Sequence, residues 1–249
     1  MLGDHLPTVD LAHQRQRRSG VLGRLERDGA LVVLSAHGCG LTSLPARLEE
    51  LTGLERLDIG GNALAALPPL PPRLRELYLD DNVVAALPPL PALRVLDANR
   101  NRLTAVPALR GVEFVYLAEN RLTAVPDTRG VTYLNVSDNP LTSLGATDAA
   151  LRELRAERCG LATLPDSLAA LTALRELSLR GNALTALPAA VGSLRELQHL
   201  DLRGNQLDDL PEELAALPAL RKLDLRWNPL RRPPPWLGAL ASRGCAVYA

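Results

Sequence analysis

Three groups of residues have the side-chain types and spacing to do chemistry. Ser178, His199 and Asp201 are a nucleophile, a base and an orienting acid, the parts of a hydrolytic triad. All three fall on short strand segments that face water. No helix N-terminus or backbone nest stands beside them to hold an oxyanion, so catalysis is not expected. His37 near Asp58 could begin a metal site. It lacks third and fourth ligands at a convincing spacing, so neither metal nor cofactor is expected. Cys39, Cys159 and Cys245 are odd in number and far apart, which is the pattern of a disulfide-free chain in a reducing, cytoplasmic compartment. No glycine loop suited to phosphates occurs, because Gly60-Gly61 belongs to a repeated turn.

The third group is aromatic. The whole set is Tyr78, Phe114, Tyr116, Tyr133, Trp227, Trp236 and Tyr248. These residues need elements that position them, and the elements are repeats. The segment from Leu54 to Pro68 reads LxxLxLxxNxLxxLP, and about ten copies follow one register, starting at Leu31, Leu54, Leu74, Leu93, Val112, Val131, Leu151, Leu174, Leu197 and Leu220. The LxL core has period two, so each copy predicts a short strand with one buried face. One copy cannot bury its leucines alone, so the copies must stack. The Asn at 62, 82, 101, 120, 139, 182, 205 and 228 turns the chain out of each strand. Its amide can satisfy loop backbone groups that burial would leave unpaired. Cys39 and Cys159 stand at the same place in two copies.

The pattern resembles the leucine-rich repeat family, over roughly residues 31 to 230. The resemblance implies an α/β fold: a curved, open, right-handed solenoid with a parallel sheet on its concave side. The end copies, as in Pro45 to Leu54, Pro165 to Leu174 and Pro211 to Leu220, space their leucines by three. That predicts a helical or 3₁₀ outer layer, and they resemble the repeats of intracellular plant and animal members. The middle copies carry Pro68-Pro69-Leu70-Pro71-Pro72, Pro88-Pro89-Leu90-Pro91 and Pro126-Asp127-Thr128-Arg129-Gly130. Extended outer segments are expected there, and they resemble the short repeats of bacterial type III effectors. Some of those effectors carry a ubiquitin-ligase domain; no room for one is seen here, so that activity is not expected.

Two residues flank the central Leu of each strand and two follow its last Leu; all four point outward. Tyr78, Phe114, Tyr116, Tyr133 and Trp227 occupy such positions, and the predicted core uses no aromatic. Cross-strand packing that stiffens the sheet would explain them. A binding surface explains them better, because Tyr and Trp are favoured at hot spots and exposed aromatics cost solubility. Charge divides too. Asp58, Asp80, Asp81, Asp97, Glu119 and Asp138 come first, and Arg155, Arg158, Arg180, Arg203 and Arg226 follow. Like charges roughly 5 Å apart in water repel by about 0.8 kcal/mol per pair. Asp201 and Asp224 can offset the arginine column, leaving two readings: a self-neutralised ladder or a bipolar groove that orients a partner.

Residues 1–30 are expected to form an N-terminal cap with a helix from Val9 to Arg27. His5, His13 and the run Gln14-Arg15-Gln16-Arg17-Arg18 are assigned to it. Residues 231–249 form a C-terminal cap, with Trp236, Leu237 and Leu240 on the last core and a strand at Cys245 to Tyr248. Arg231-Arg232-Pro233-Pro234-Pro235 reads as a rigid lead into that cap rather than a proline-rich ligand. Formal net charge is +0, so no overall field favours nucleic acid. The early acid Asp4 and the lack of an apolar run in the first residues, with no run near 18 apolar residues elsewhere, make neither a secretory leader nor a membrane span expected. Lys222 is the only lysine among 28 Lys+Arg, which hints at a high-GC bacterial source. The expected protein is a monomeric, non-enzymatic, cytoplasmic scaffold that binds a protein or peptide on its concave face. The partner would lie across Tyr78, Phe114, Tyr116, Tyr133 and Trp227, with acidic groups toward Arg180, Arg203 and Arg226. The alternative is an enzyme or small-ligand binder using the acidic and aromatic patch.

Overall fold

The computed structural model describes residues 8–10, 31–90, 93–145 and 148–249. The chain forms two compact units, Met1–Arg121 and Leu122–Ala249. In each, every repeat contributes one three-residue strand, and the strands pair in parallel in chain order.

The N-terminal unit holds β1 (Thr8–Asp10), β2 (Val33–Ser35), β3 (Arg56–Asp58), β4 (Glu76–Tyr78), β5 (Val95–Asp97) and β6 (Phe114–Tyr116). Its ladder keeps strict register: Leu34 faces Leu57, Leu57 faces Leu77, Leu77 faces Leu96, and Leu96 faces Val115. The central residue of each strand is buried while its two neighbours face out, as period two requires. The first residues of the expected N-terminal helix, Val9 and Asp10, are strand and pair with Leu34 and Ser35. The rest of that expected helix, with the basic run at 14–18 and His5 and His13, lies outside the described residues.

The C-terminal unit holds β7 (Tyr133–Asn135), β8 (Glu153–Arg155), β9 (Glu176–Ser178), β10 (His199–Asp201), β11 (Lys222–Asp224) and β12 (Ala246–Tyr248). Helix α1 (Trp236–Ser242) starts directly after Pro235, where a missing N–H costs nothing. Leu237 and Leu240 of α1 are buried, and Trp236 is only half-buried. The aliphatic part of the expected C-terminal cap therefore closes the core, and the indole stays at its rim.

The outer segments follow the two kinds of spacing. The long copies place 3₁₀ turns at Leu48–Glu50, Asp166–Ala170, Ala189–Ser193 and Glu212–Ala216. Each buries one aliphatic residue: Leu48, Leu168, Val191 or Leu214. The proline-broken copies have no helix at 68–72 or 88–90. In the copy that starts at Val112, Thr128 takes the place that Leu109 fills one repeat earlier. Leu109 is fully buried and Thr128 is 2% exposed, and the Thr128 hydroxyl has no hydrogen-bond partner. A buried hydroxyl without a partner destabilises by about 1–3 kcal/mol. Thr128→Val, which keeps the shape, is expected to raise unfolding free energy by about 1 kcal/mol, measured by urea denaturation. A loss of stability would show that the hydroxyl is satisfied in solution.

The asparagine ladder closes every turn. Asn82 Nδ2 donates to the carbonyls of Leu79 in its own repeat and Ile59 in the preceding one, both at 3.0 Å. Its Oδ1 accepts the Leu64 N–H at 3.0 Å. Asn205 does the same in the C-terminal unit, toward Leu202, Leu179 and Leu184. Cys159 occupies this position with a thiol that donates to the Val136 and Glu157 carbonyls at 3.3 and 3.4 Å. Burial pushes its pKa up, so it remains the protonated donor that the position needs.

Candidate functional site

The outward face of each ladder is built from four columns: two strand positions and the two residues that follow the last strand leucine. The first column runs Val33, Arg56, Glu76, Val95, Phe114 in one unit and Tyr133, Glu153, Glu176, His199, Lys222 in the other. The second holds Ser35, Asp58, Tyr78, Asp97 and Tyr116, and then Asn135, Arg155, Ser178, Asp201 and Asp224.

Most polar residues of the second column have a local structural task. Asp58, Asp97, Asn135, Asp201 and Asp224 each accept, through Oδ1, the backbone N–H two residues on. This is the side-chain turn that Asp and Asn make easily, and it shapes the exit from the strand. Tyr78 and Tyr116 sit in the same column and cannot make that bond. Their presence needs another reason.

The aromatics stay out of the core. Phe114 is 41% exposed, Trp227 68% and Tyr248 44%. Tyr78, Tyr116, Tyr133 and Trp236 are half-buried. In the N-terminal unit, the Arg56 guanidinium lies 4.9 Å from the Tyr78 ring centre, and the Tyr78 hydroxyl donates to Glu76 Oε2 at 3.2 Å. Burial first, and the Glu76 charge second, push the Tyr78 pKa up. In the C-terminal unit, Arg226 stands 5.6 Å from the Trp227 ring and 5.2 Å from that of Tyr248.

The acidic residues of the N-terminal unit are partly answered. Arg100 pairs with Asp81 at 2.6 Å and Asp80 at 3.1 Å. The hydrogen bond from Arg100 holds the Asp81 carboxyl below the usual carboxylate range. His37 Nδ1 is 3.4 Å from Asp58. No group of three or more metal-ligating side chains occurs among the described residues. Asp97 behaves differently. Burial raises its pKa, the Asn99 N–H opposes this, and the charges of Asp80 and Asp58 add to the rise.

That shift has a sign. The folded chain holds the Asp97 proton to higher pH than the unfolded chain does. Its contribution is therefore full below the ordinary carboxylate pKa and lost as pH rises through the raised value. Asp97→Asn keeps an acceptor for the Asn99 N–H and removes the charge. The variant is expected to be more stable than the parent at neutral pH, with the gain vanishing as pH falls below the ordinary carboxylate range. Urea midpoints across pH check this, and a gain that persists in acid would contradict it.

The arginine column of the C-terminal unit is largely neutralised. Arg203 meets Asp201 at 2.5 Å and Asp224 at 3.5 Å, and Arg226 meets Asp224 at 2.7 Å. Asp224 is 1% exposed. Burial alone would raise its pKa, but hydrogen bonds from Arg226 and the charges of Arg226 and Arg203 outweigh that and hold it low. Arg155 meets Glu153 at 2.7 Å, and Arg158 meets Asp138 at 2.6 Å. Arg180 is exposed and makes no side-chain hydrogen bond or ion pair among the described residues. The self-neutralised reading therefore holds for Arg203 and Arg226, and not for Arg180.

Ser178, His199 and Asp201 line one hollow of about 290 Å³ but do not form a relay. The Ser178 hydroxyl donates to Glu157 at 2.9 Å, His199 Nδ1 faces Glu176 at 3.3 Å, and Asp201 is held by Arg203. The hydroxyl and the imidazole thus have different partners.

One feature of the face was missed from sequence. The fourth column, just before each ladder Asn, has left-handed backbone throughout. It holds Gly38, Gly61, Asp81, Arg100 and Glu119 in one unit, and Asp138, Arg158, Gly181, Gly204 and Trp227 in the other, with φ between 51° and 70°. The glycines at this place were the available signal, since glycine adopts that conformation without strain. The charged residues and Trp227 adopt it at a cost of about 1–2 kcal/mol each.

A leucine rich repeat family model matches residues 172–230. Among solved structures, the chain is similar to YopM from Yersinia enterocolitica WA-314, at 34% identity over 80% of this chain and 43% of that one, with a TM-score of 0.70. YopM from Yersinia pestis, a leucine-rich effector protein, gives 26% identity over 81% and 62%, with a TM-score of 0.66. The functional domain of InlJ from Listeria monocytogenes gives 23% over 82% and 46%, with a TM-score of 0.69. This chain spans less than half the length of the first and last of these. No helix among the described residues is long and apolar enough to cross a membrane. Repeat pattern, the family match over residues 172–230 and the parallel ladders agree on a leucine-rich-repeat solenoid fold, similar to that of these bacterial proteins.

Proposed function

We propose that this chain is a non-enzymatic recognition scaffold that binds a partner protein or peptide on the concave face of its strands. The observation that carries the reading is the segregation of side chains. Every fully buried hydrophobic residue among the described ones is aliphatic or cysteine, and the aromatics lie half-buried or exposed on the outward face and at the C-terminal end. Second-column acids serve the strand turn, whereas Tyr78 and Tyr116 in the same column do not. Flat, amphipathic rings held on a rigid sheet lose little entropy on binding.

Arg180 supplies an unanswered positive charge, so an acidic group of the partner lies toward it. Arg203 and Arg226 act with their aspartates as an oriented polar rim, and Trp227 is the exposed anchor beside them. The chain works in the cytoplasm as a monomer and needs no cofactor or nucleic acid.

The test is capture. Immobilised parent and Tyr116→Ala/Tyr133→Ala chains are exposed to lysate of the source cell, and retained proteins are compared. The double variant is expected to lose at least one retained species by about tenfold or more, with its thermal transition nearly unchanged. An identical set retained in equal amounts would sink the proposal.

A further inference from the structure

In the N-terminal unit, the residue before each strand forms a column of its own, apart from the aromatic face. Val32, Glu55, Arg75, Arg94 and Glu113 occupy it, so Arg75 and Arg94 are neighbours between two glutamates. The register of Glu76 with Val95 sets Arg75 and Arg94 on neighbouring rungs, and the Arg94 N–H donates to the Arg75 carbonyl at 2.6 Å. A hollow of about 520 Å³ opens beside them, and Arg73, Arg75, Arg94 and Arg110 line it with Glu55. All four arginines are exposed. Glu55 is the only carboxylate among the described residues lining the hollow, and it reaches Arg75 at 3.9 Å. Arg73 and Arg94 make no side-chain hydrogen bond or ion pair among the described residues.

This differs from the chain's habit elsewhere. Arg100, Arg129 and Arg158 each meet an aspartate at 2.6 Å. Neighbouring like charges around a shared hollow repel one another, and a multiply charged anion relieves that repulsion. Guanidinium forks match phosphate oxygens two at a time. Gly111 also lines the hollow, and a Cβ added there would meet nothing within 4 Å.

We propose that this hollow binds a diphosphate-class anion, either inorganic pyrophosphate or the diphosphate of a nucleotide. One phosphoryl group engages Arg75 and Arg94 together. The second reaches Arg73. A lone carboxylate would satisfy a single fork and leave Arg73 or Arg94 unanswered. The site is independent of the recognition face described above.

The full chain is titrated calorimetrically with pyrophosphate at low ionic strength, with sulfate at matched ionic strength as the comparison. R75Q/R94Q removes the central pair. R152Q/R175Q removes the equivalent pair in the C-terminal unit, where Arg152 and Arg175 also precede strands. Pyrophosphate is expected to bind the parent more tightly than sulfate. R75Q/R94Q is expected to weaken binding at least tenfold, and R152Q/R175Q to leave it unchanged. The proposal is overturned by absence of pyrophosphate binding to the parent, by unchanged binding in R75Q/R94Q, or by equal weakening in R152Q/R175Q. Adenosine diphosphate forms the second arm. Binding at least as tight as pyrophosphate assigns a nucleotide source, and weaker binding assigns the inorganic one; both keep the diphosphate assignment.

Discussion

Asn120→Ala is expected to destabilise the N-terminal unit by about 3–5 kcal/mol, because one truncation removes four hydrogen bonds at once and leaves the buried Leu103 N–H without its acceptor. Asn120 is buried. Its Oδ1 accepts the Leu103 N–H at 3.0 Å, and its Nδ2 donates to Ala98 at 2.9 Å, Leu117 at 3.1 Å and Ala118 at 3.2 Å. Alanine supplies none of these. The orphaned Leu103 N–H alone costs about 1–3 kcal/mol, and each lost bond to a carbonyl about 0.5–1.5 kcal/mol. Repeat arrays need not unfold in one step, so hydrogen exchange at the Leu103 amide is the sharper measurement. Its protection should collapse together with the loss in urea stability. Asn120→Cys should cost less, because Cys159 already donates two hydrogen bonds from this position. A penalty below about 1 kcal/mol for the alanine variant would mean that the amide is not what holds the turn.

The parts of this fold legible in the sequence are those governed by a rule local to one repeat. Period two placed Leu57, Leu77 and Leu96 inside and their neighbours outside. Leucine spacing of three separated the 3₁₀ turns, such as Asp166–Ala170, from the proline-broken segments. The ladder role of Asn, and of Cys39 and Cys159 in its place, followed from the same alignment. What sequence could not give was the choice among neighbours. Asp201 and Asp224 offset Arg203 and Arg226 as the columns suggested, but Arg180 in the same column makes no ion pair among the described residues. Ser178 turned to Glu157 rather than His199. Those choices depend on side-chain reach across rungs, which a column of letters does not encode. The left-handed column was half legible: Gly38, Gly61, Gly181 and Gly204 marked it, but the charged residues in the other repeats hid it.

That column gives the second large prediction. Trp227 holds left-handed backbone at φ 63°, where the two preceding repeats of its unit have Gly204 and Gly181. It is 68% exposed, so burial offsets little of the conformational cost. Its stacking with Arg226 at 5.6 Å is worth about 0.5–1 kcal/mol at an exposed site, less than the strain of about 1–2 kcal/mol that a bulky residue carries there. Folding alone therefore favours glycine. Trp227→Gly is expected to leave stability unchanged or raise it by up to about 1 kcal/mol. The same change is expected to weaken the partner retained by the parent chain by about 30-fold or more, the effect of removing a Trp hot spot of at least 2 kcal/mol. The opposite signs separate the two explanations of the residue. A structural role predicts lower stability with capture intact; a recognition role predicts lost capture with stability held or gained. Thermal denaturation and a binding titration on one preparation decide between them, and capture unchanged in the glycine variant would remove Trp227 from the proposed surface.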